Sequence, residues 1–318
     1  MKKKVISIIA LIIVLVFAFT ACAGGGGGAS NFPKKGIKII VPFGAGGGSD
    51  QFMRVLEQEL EKDSKYNITV VNIPGAKTAV GFEEFMSQPA DGYTIFNATT
   101  DSLINITQGI VSSEIDDIEA LVVPQLNVDM LFINAKDERF KTFDEMVEFA
   151  KQSGTELEIA VLGVDGAEFI TMTEIEKVTG IKFKLIPYSE PGERYAALAG
   201  GHVDVLFEQP GDIRAFLESG EYAPIISMSA EPITGFEDIP TSVENGIDVT
   251  NGYWRSVWVK AEVPEDVKDV LRQAIMTALD SDEYKEYAHN KFLDIREGYY
   301  DKESIANFIQ SEYDIYAK

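Results

Sequence analysis

The chain has 318 residues, 45% hydrophobic and 25% charged, which is length for about two domains and a sizeable core, so fibrous and small disulfide-stapled architectures drop out. Twenty-eight Lys and Arg stand against 51 Asp and Glu, a formal net charge of −23. A field of that sign repels phosphate backbones, which excludes nucleic acid as a partner and leaves any anionic ligand to be held by local geometry.

In chain order, Lys2, Lys3 and Lys4 precede an apolar run over residues 5–19 broken only by Ser7. This is the pattern of a secretory signal peptide, residues 1–21, and is short for a spanning helix. Thr20-Ala21-Cys22 resembles the box at which bacterial lipoproteins are cut and lipidated on the new N-terminal cysteine, and Cys22 is the single cysteine of the chain. Ala21-Cys22-Ala23 also satisfies the small-x-small rule for ordinary cleavage after Ala23. Glycines at 24–28 make a flexible tether, so residues 22–35 are expected to link a lipidated Cys22 in the cell membrane to an extracytoplasmic body.

Beyond the tether, short β-branched runs alternate with helical patterns. Strands are predicted at 37–41, 68–73, 93–97, 120–123, 130–133, 157–162, 183–186, 203–207 and 225–228, mostly as continuous apolar runs suited to sheets covered on both faces. Phe52, Val55, Leu56 and Leu60 share a helical face behind Ser49 and Asp50 as cap candidates. Thr142 with Glu145 forms a capping-box pattern, and Asp165 with Glu168 repeats it with an Asp cap on a helix that ends at Gly180. Pro264 opens another helix at its first position, with Glu265 and Asp266 in its first turn. Repeated strand and helix units predict an α/β fold with largely parallel sheets.

Catalytic chemistry is thinly represented. His202 and His289 lie at no recognisable metal-ligand spacing and are expected on the surface; no G-x-S-x-G or H-E-x-x-H occurs, so no metal, cofactor or catalytic residue is predicted. The acidic run 114–119 does not match a calcium loop and is expected to be a solvated face.

The strongest local signal is Pro42-Phe43-Gly44-Ala45-Gly46-Gly47-Gly48-Ser49-Asp50, a glycine-rich turn from strand to helix that can cradle an anion on bare backbone N–H groups. It lacks the lysine of a Walker loop and the third glycine of the dinucleotide fingerprint. A second such turn, Asn72-Ile73-Pro74-Gly75-Ala76-Lys77-Thr78-Ala79-Val80-Gly81, follows the next strand. In a parallel sheet both emerge at the carboxyl edge, where ligands bind, which suggests a carboxylate clasped between them.

These two loops, with Asp91-Gly92-Tyr93-Thr94, Ile186-Pro187-Tyr188, Ala199-Gly200-Gly201-His202-Val203-Asp204-Val205-Leu206-Phe207, Ile239-Pro240-Thr241-Ser242-Val243-Glu244-Asn245-Gly246 and the Tyr253-Trp254 strand before Pro264, recur in the order and spacing of one family. From about residue 36 to its end the chain resembles the substrate-binding proteins of tripartite tricarboxylate transporters, the Bug family. The resemblance implies a bilobed, type II periplasmic-binding-protein fold, a monomer that closes on a small organic carboxylate and delivers it to large and small integral-membrane permease subunits. Lobe one would comprise residues 36–130 and 229–318, and lobe two residues 131–228.

By position, the family's carboxylate-binding loops carry over to Phe43, Gly44, Ala45, Gly46, Gly47 and Asp50, then to Pro74, Gly75 and Ala76, with Thr99 and Thr100 where the family has a hydroxyl-bearing loop. Relatives usually have Arg where this chain has Ile73 and glycines where it has Lys77 and Thr78. Lys77 would then pair with a ligand carboxylate or face solvent at a helix start. In lobe two, Gly163, Asp165 and Ala167 lie in the matching loop, with Phe169 where relatives have His. The acids nearby, Asp165, Glu168, Glu190 and Glu208, would favour an ammonium, so an amino-acid-like ligand or a monocarboxylate is expected rather than citrate. Phe43, Tyr188 and Trp254 are candidate apolar walls, with plain core as the other reading for Trp254. A ligand-presenting sensor accessory would use the same pocket; a lipid-anchored enzyme would need a nucleophile and base that the sequence does not offer.

Overall fold

The computed structural model describes residues 32–164, 166–250 and 252–317. The expected signal peptide, Cys22 and the glycine run lie outside the described residues, as does Asp165. Strands β1 (Ile37–Val41), β2 (Ile68–Asn72), β3 (Thr94–Thr99), β4 (Ile118–Leu126) and β10 (Trp254–Lys260) form one sheet in the order β2-β1-β3-β10-β4. Strands β5 (Met130–Asn134), β6 (Leu157–Val161), β7 (Phe183–Pro187), β8 (Val205–Glu208) and β9 (Tyr222–Ser227) form the other in the order β7-β6-β8-β5-β9.

The sheets are not wholly parallel. β1 runs with β2 and β3, but β10 is antiparallel to both β3 and β4, and in the second sheet β5 is antiparallel to both β8 and β9. The two reversed strands are the ones that follow a crossing between sheets. A chain that leaves the carboxyl edge of one sheet and enters the facing carboxyl edge of the other must run backwards there, so the reversals place the two carboxyl edges toward one another.

Both faces of each sheet are covered, which explains the continuous apolar runs. In β1, Ile37, Ile39 and Val41 pack into one core with Phe52, Leu56 and Leu271, while Ile40 turns to the other with Phe82, Phe85 and Phe96. In β5, Leu131 and Ile133 face one core and Met130 and Phe132 another. Trp254 belongs to this packing: it is 1% exposed, packs tilted against Trp258 and edge-on to Phe308, and donates from Nε1 to Glu312 at 2.8 Å. It is core, as its alternative reading held.

The helices are α1 (Gly48–Glu61), α2 (Ala79–Ser87), α3 (Thr100–Thr107), α4 (Phe143–Ser153), α5 (Ala167–Thr179), α6 (Pro191–Ala199), α7 (Arg214–Glu218), α8 (Glu265–Leu279), α9 (Asp282–Asn290) and α10 (Lys302–Tyr316). Thr142 caps α4 through the Glu145 N–H, and α5 stops at Gly180, whose φ of +77° only glycine adopts freely. Pro264 is the N-cap of α8 rather than its first residue. The acidic run is not simply solvated: Glu119 is half-buried and pairs with Lys268 and Arg272 of α8.

Candidate functional site

The first glycine loop leads from β1 into α1. The N-cap of α1 is Gly47, not Ser49 or Asp50, and that of α5 is Gly166, not Asp165. The opposite sheet's residues explain both. A Cβ on Gly47 would lie 2.8 Å from Cγ of Pro191, and one on Gly166 would lie 2.4 Å from Oδ1 of Asp101, so a side chain at either N-cap would press on the other half. Gly44 is pressed the same way: its Cβ would stand 2.2 Å from a carboxylate oxygen of Glu190, which is exposed overall yet turned onto this loop.

Asp50 is held within its own half. Its carboxylate accepts from the Gly46 N–H at 2.9 Å, Arg54 Nε at 3.0 Å and Asn72 Nδ2 at 3.0 Å, tying the loop to β2. Burial pushes its carboxyl up, but the hydrogen bonds from Arg54, Gly46 and Asn72 outweigh this and hold it below the usual carboxylate value. Thr99 and Thr100 are buried. Thr100 Oγ1 accepts from the Trp254 N–H at 3.2 Å and Thr99 Oγ1 lies 2.9 Å from the Tyr253 hydroxyl, so both seat the start of β10.

The second loop is strained. Ala76, Lys77 and Thr78 have φ of +43°, +42° and +79°, the left-handed region that costs a non-glycine residue about 1 kcal/mol or more. Lys77 does not face solvent: its Nζ is buried, and its stem crosses to the other half, where a Cβ on Gly163 would lie 2.3 Å from its Cδ. Ala167 of the same half donates its N–H to Asp101 Oδ1 at 3.3 Å. Pro74 and Ala76 are exposed beside this crossing, as are Ala45 and Gly46 in the first loop.

Between the sheets lies a cavity of about 50 Å³, room for a few waters, lined on one side by Phe43, Gly47, Ser49, Tyr253 and Arg255. The other side contributes Glu168, Arg194, Glu208, Gln209 and Asp212. Tyr188, expected as a wall, is half-buried against the core of the second sheet instead, with its N–H on the Val161 carbonyl. Phe169 is 44% exposed on the first turn of α5.

Arg255, the centre of this site, was not anticipated from sequence, although a charged residue inside the buried run 253–260 was the available signal. It is 3% exposed and donates to Asp212 Oδ2 at 2.6 Å and Gln209 Oε1 at 3.1 Å in one half, and toward Ser49 Oγ at 3.3 Å in its own. Gln209 passes the contact to Asp129, whose Oδ1 accepts from Nε2 at 2.6 Å and whose carboxyl burial pushes up to about 7. Glu208 is not a free acid awaiting an ammonium: it pairs with Arg194, and both side chains are under 10% exposed. Arg194 keeps Nε buried without a hydrogen-bond partner among the described residues.

Glu168 also has its carboxylate enclosed, accepting from the N–H groups of Leu162 at 2.6 Å and Gly163 at 3.3 Å. Burial pushes it up to about 8, with Asp101 adding and Arg194 opposing. The folded protein therefore keeps a proton that the unfolded chain has released, and this stabilisation is lost as pH rises from about 4.5 toward about 8. The stability of the protein relative to Glu168→Gln is expected to fall by up to about 1.4 kcal/mol per pH unit over that window. Urea denaturation at several pH values reads this directly, and a constant difference would refute it.

Comparison with known proteins gives consistent relatives. A family model described as "Tripartite tricarboxylate transporter family receptor" matches residues 52–316. The protein BugT of Bordetella pertussis is 25% identical over 258 residues, covering 80% of this chain and 79% of its own. MatC of Rhodopseudomonas palustris, solved with bound malate, superimposes with a TM-score of 0.80 at 18% identity, covering 90% of this chain and 99% of that one. A second R. palustris protein, solved with adipate, gives a TM-score of 0.80 at 20% identity over 90% and 96% of the two chains. At these identities the solved structures establish the fold.

Proposed function

This chain belongs to the tripartite tricarboxylate transporter family of receptors, and from that premise we propose that it captures a small organic carboxylate between two lobes and hands it to the membrane subunits of such a transporter. The observation that carries this reading is the seam itself: a glycine loop at the N-terminus of α1 faces a buried Arg255 and residues of the opposite sheet. The hinge in this reading is the pair of crossings, 127–129 and 228–253, where the Asn127 N–H meets the Tyr253 carbonyl at 2.8 Å and the Met228 N–H meets the Asp129 carbonyl at 2.8 Å. Malate and adipate, the solutes seen with two proteins of this fold, support a carboxylate as the solute class.

The solute is bound and released without chemical change, and Cys22 carries the lipid that keeps the receptor at the extracytoplasmic face of the membrane. Among the described residues no helix is long and apolar enough to cross a membrane, so the anchor falls to the N-terminus in this reading.

A thermal-shift screen of the purified protein against mono-, di- and tricarboxylates and amino acids tests the reading, because a solute that binds only the folded state raises its melting temperature. NMR of the bound solute should show it unaltered; turnover, or no shift with any carboxylate, would overturn it. Metabolic labelling with palmitate should be lost in Cys22→Ser. Lys77→Gly is expected to leave the unfolding free energy within about 1 kcal/mol, since relief of the left-handed strain offsets the entropy of glycine. Carboxylate affinity should nevertheless fall, because the stem that crosses the seam is gone; unchanged affinity in calorimetry would make Lys77 a spectator.

A further inference from the structure

Asp212 stands where the sequence places an anion. It follows β8 on the second sheet, yet its carboxylate lies against the N-terminus of α1 on the first: a Cβ on Gly48 would be 2.0 Å from Asp212 Oδ2 and 2.2 Å from a terminal nitrogen of Arg255. The two side chains are 6% and 4% exposed and form a 2.6 Å ion pair across the seam, on the wall of the cavity. Separating the halves separates the pair.

The other charges around it are accounted for. Glu208 pairs with Arg194, Glu168 is enclosed and favoured in its protonated form by burial, and Lys291 donates to the Gly211 carbonyl beside Asp212 at 2.6 Å. Ser49 and Gln209, the other contacts of Arg255 on the cavity wall, are neutral.

A solute that bears only a carboxylate and docks at the Arg255 nitrogen held by Asp212 displaces Asp212, which leaves that carboxylate a nearly buried charge without its cation. Removing one partner of a buried pair is far costlier than exchanging both. A solute that carries an ammonium next to its carboxylate can insert between the two and leave both charges paired. The cavity of about 50 Å³ requires the lobes to part for any such solute, and parting is what opens the gap between Arg255 and Asp212.

Building on the carboxylate-capture reading, we propose that Arg255 and Asp212 form a two-ended receiver for amino acids, Arg255 taking the carboxylate and Asp212 the ammonium, so that Asp212 selects against carboxylates without an amine. Arg194, with Nε turned to no partner among the described residues, supplies a further buried cation on the same cavity.

Matched pairs of probes test this by calorimetry: L-alanine against propionate, and L-glutamate against glutarate. The intact protein is expected to bind the amino member of at least one pair at least tenfold more tightly. In Asp212→Asn the preference should collapse or invert through a gain in affinity for the deamino member, a gain that misfolding cannot produce. Arg255→Gln should lose both members of that pair. Equal binding of amino and deamino members by the intact protein, or a preference unchanged in Asp212→Asn, overturns the assignment of Asp212 while leaving carboxylate capture in place. Binding of no probe by either protein overturns the amino-acid receiver, while carboxylate capture stands or falls with the wider thermal-shift screen.

Discussion

Substitution of Gly211 by alanine is expected to hold the two halves apart and to cut solute affinity at least a hundredfold, while each half still folds. Gly211 belongs to the turn after β8, and a Cβ there would lie 2.1 Å from the carbonyl oxygen of Lys291 and 2.8 Å from its Cα. These are backbone atoms at the end of α9, a helix packed on the first sheet's core through Tyr284 and Tyr287, so no rotamer change can clear them. The halves would have to separate by more than an ångström at that point, since carbon and oxygen cannot approach much below about 3.2 Å. Asp212 is the next residue, and the same displacement draws it off Arg255. A hundredfold loss corresponds to about 2.7 kcal/mol. Small-angle scattering should report a larger radius of gyration, with little change in the urea midpoint; unchanged scattering together with unchanged affinity would mean that the seam yields elsewhere.

The second large effect concerns stability. Arg194→Met is expected to destabilise the protein by about 3–5 kcal/mol, because it leaves Glu208 buried and without its cation beside the cavity. Opening the lobes offers only partial relief, since Arg194 on α6 and Glu208 on β8 belong to the same sheet's layers. Adding Glu208→Gln should recover most of the loss, as it removes the orphaned charge and keeps the shape. Equilibrium unfolding of the single and double variants decides the matter: a single variant within 1 kcal/mol of the parent would show that water reaches Glu208.

Much of the fold follows from local pattern. The runs at 37–41, 130–133 and 157–162 are strands because a strand covered on both faces is apolar at nearly every position, with Lys38 and Glu158 only at the partly exposed second places, and helices cannot sustain such short runs between glycine turns. β10 is the exception: Arg255 and Ser256 interrupt the apolar pattern, so only its first residue stood out, through its family motif. The caps of α1 and α5 were misplaced for a tertiary reason. Ser49 and Asp165 are good local caps, but the N-caps are Gly47 and Gly166, where a Cβ would press on Pro191 and on Asp101 of the opposite half. The reversed direction of β5 and β10 is likewise a property of how one sheet hands the chain to the other, which no window of sequence contains.

The candidate site divides the same way. By itself the sequence determined the glycine loop at 43–48, the second loop at 72–78 and the membership of the chain in its family, because these depend on backbone chemistry encoded within ten residues. Only the tertiary structure decided which side chains meet at the seam. Arg255 and Asp212 are 43 residues apart and belong to different halves, Lys77 reaches Gly163 and Gly166 from the far side, and Glu208 is neutralised by Arg194 rather than left for a ligand. A buried charge is stable only where its partner is placed within hydrogen-bond reach, and that placement is set by two separate cores closing on one another rather than by either segment alone.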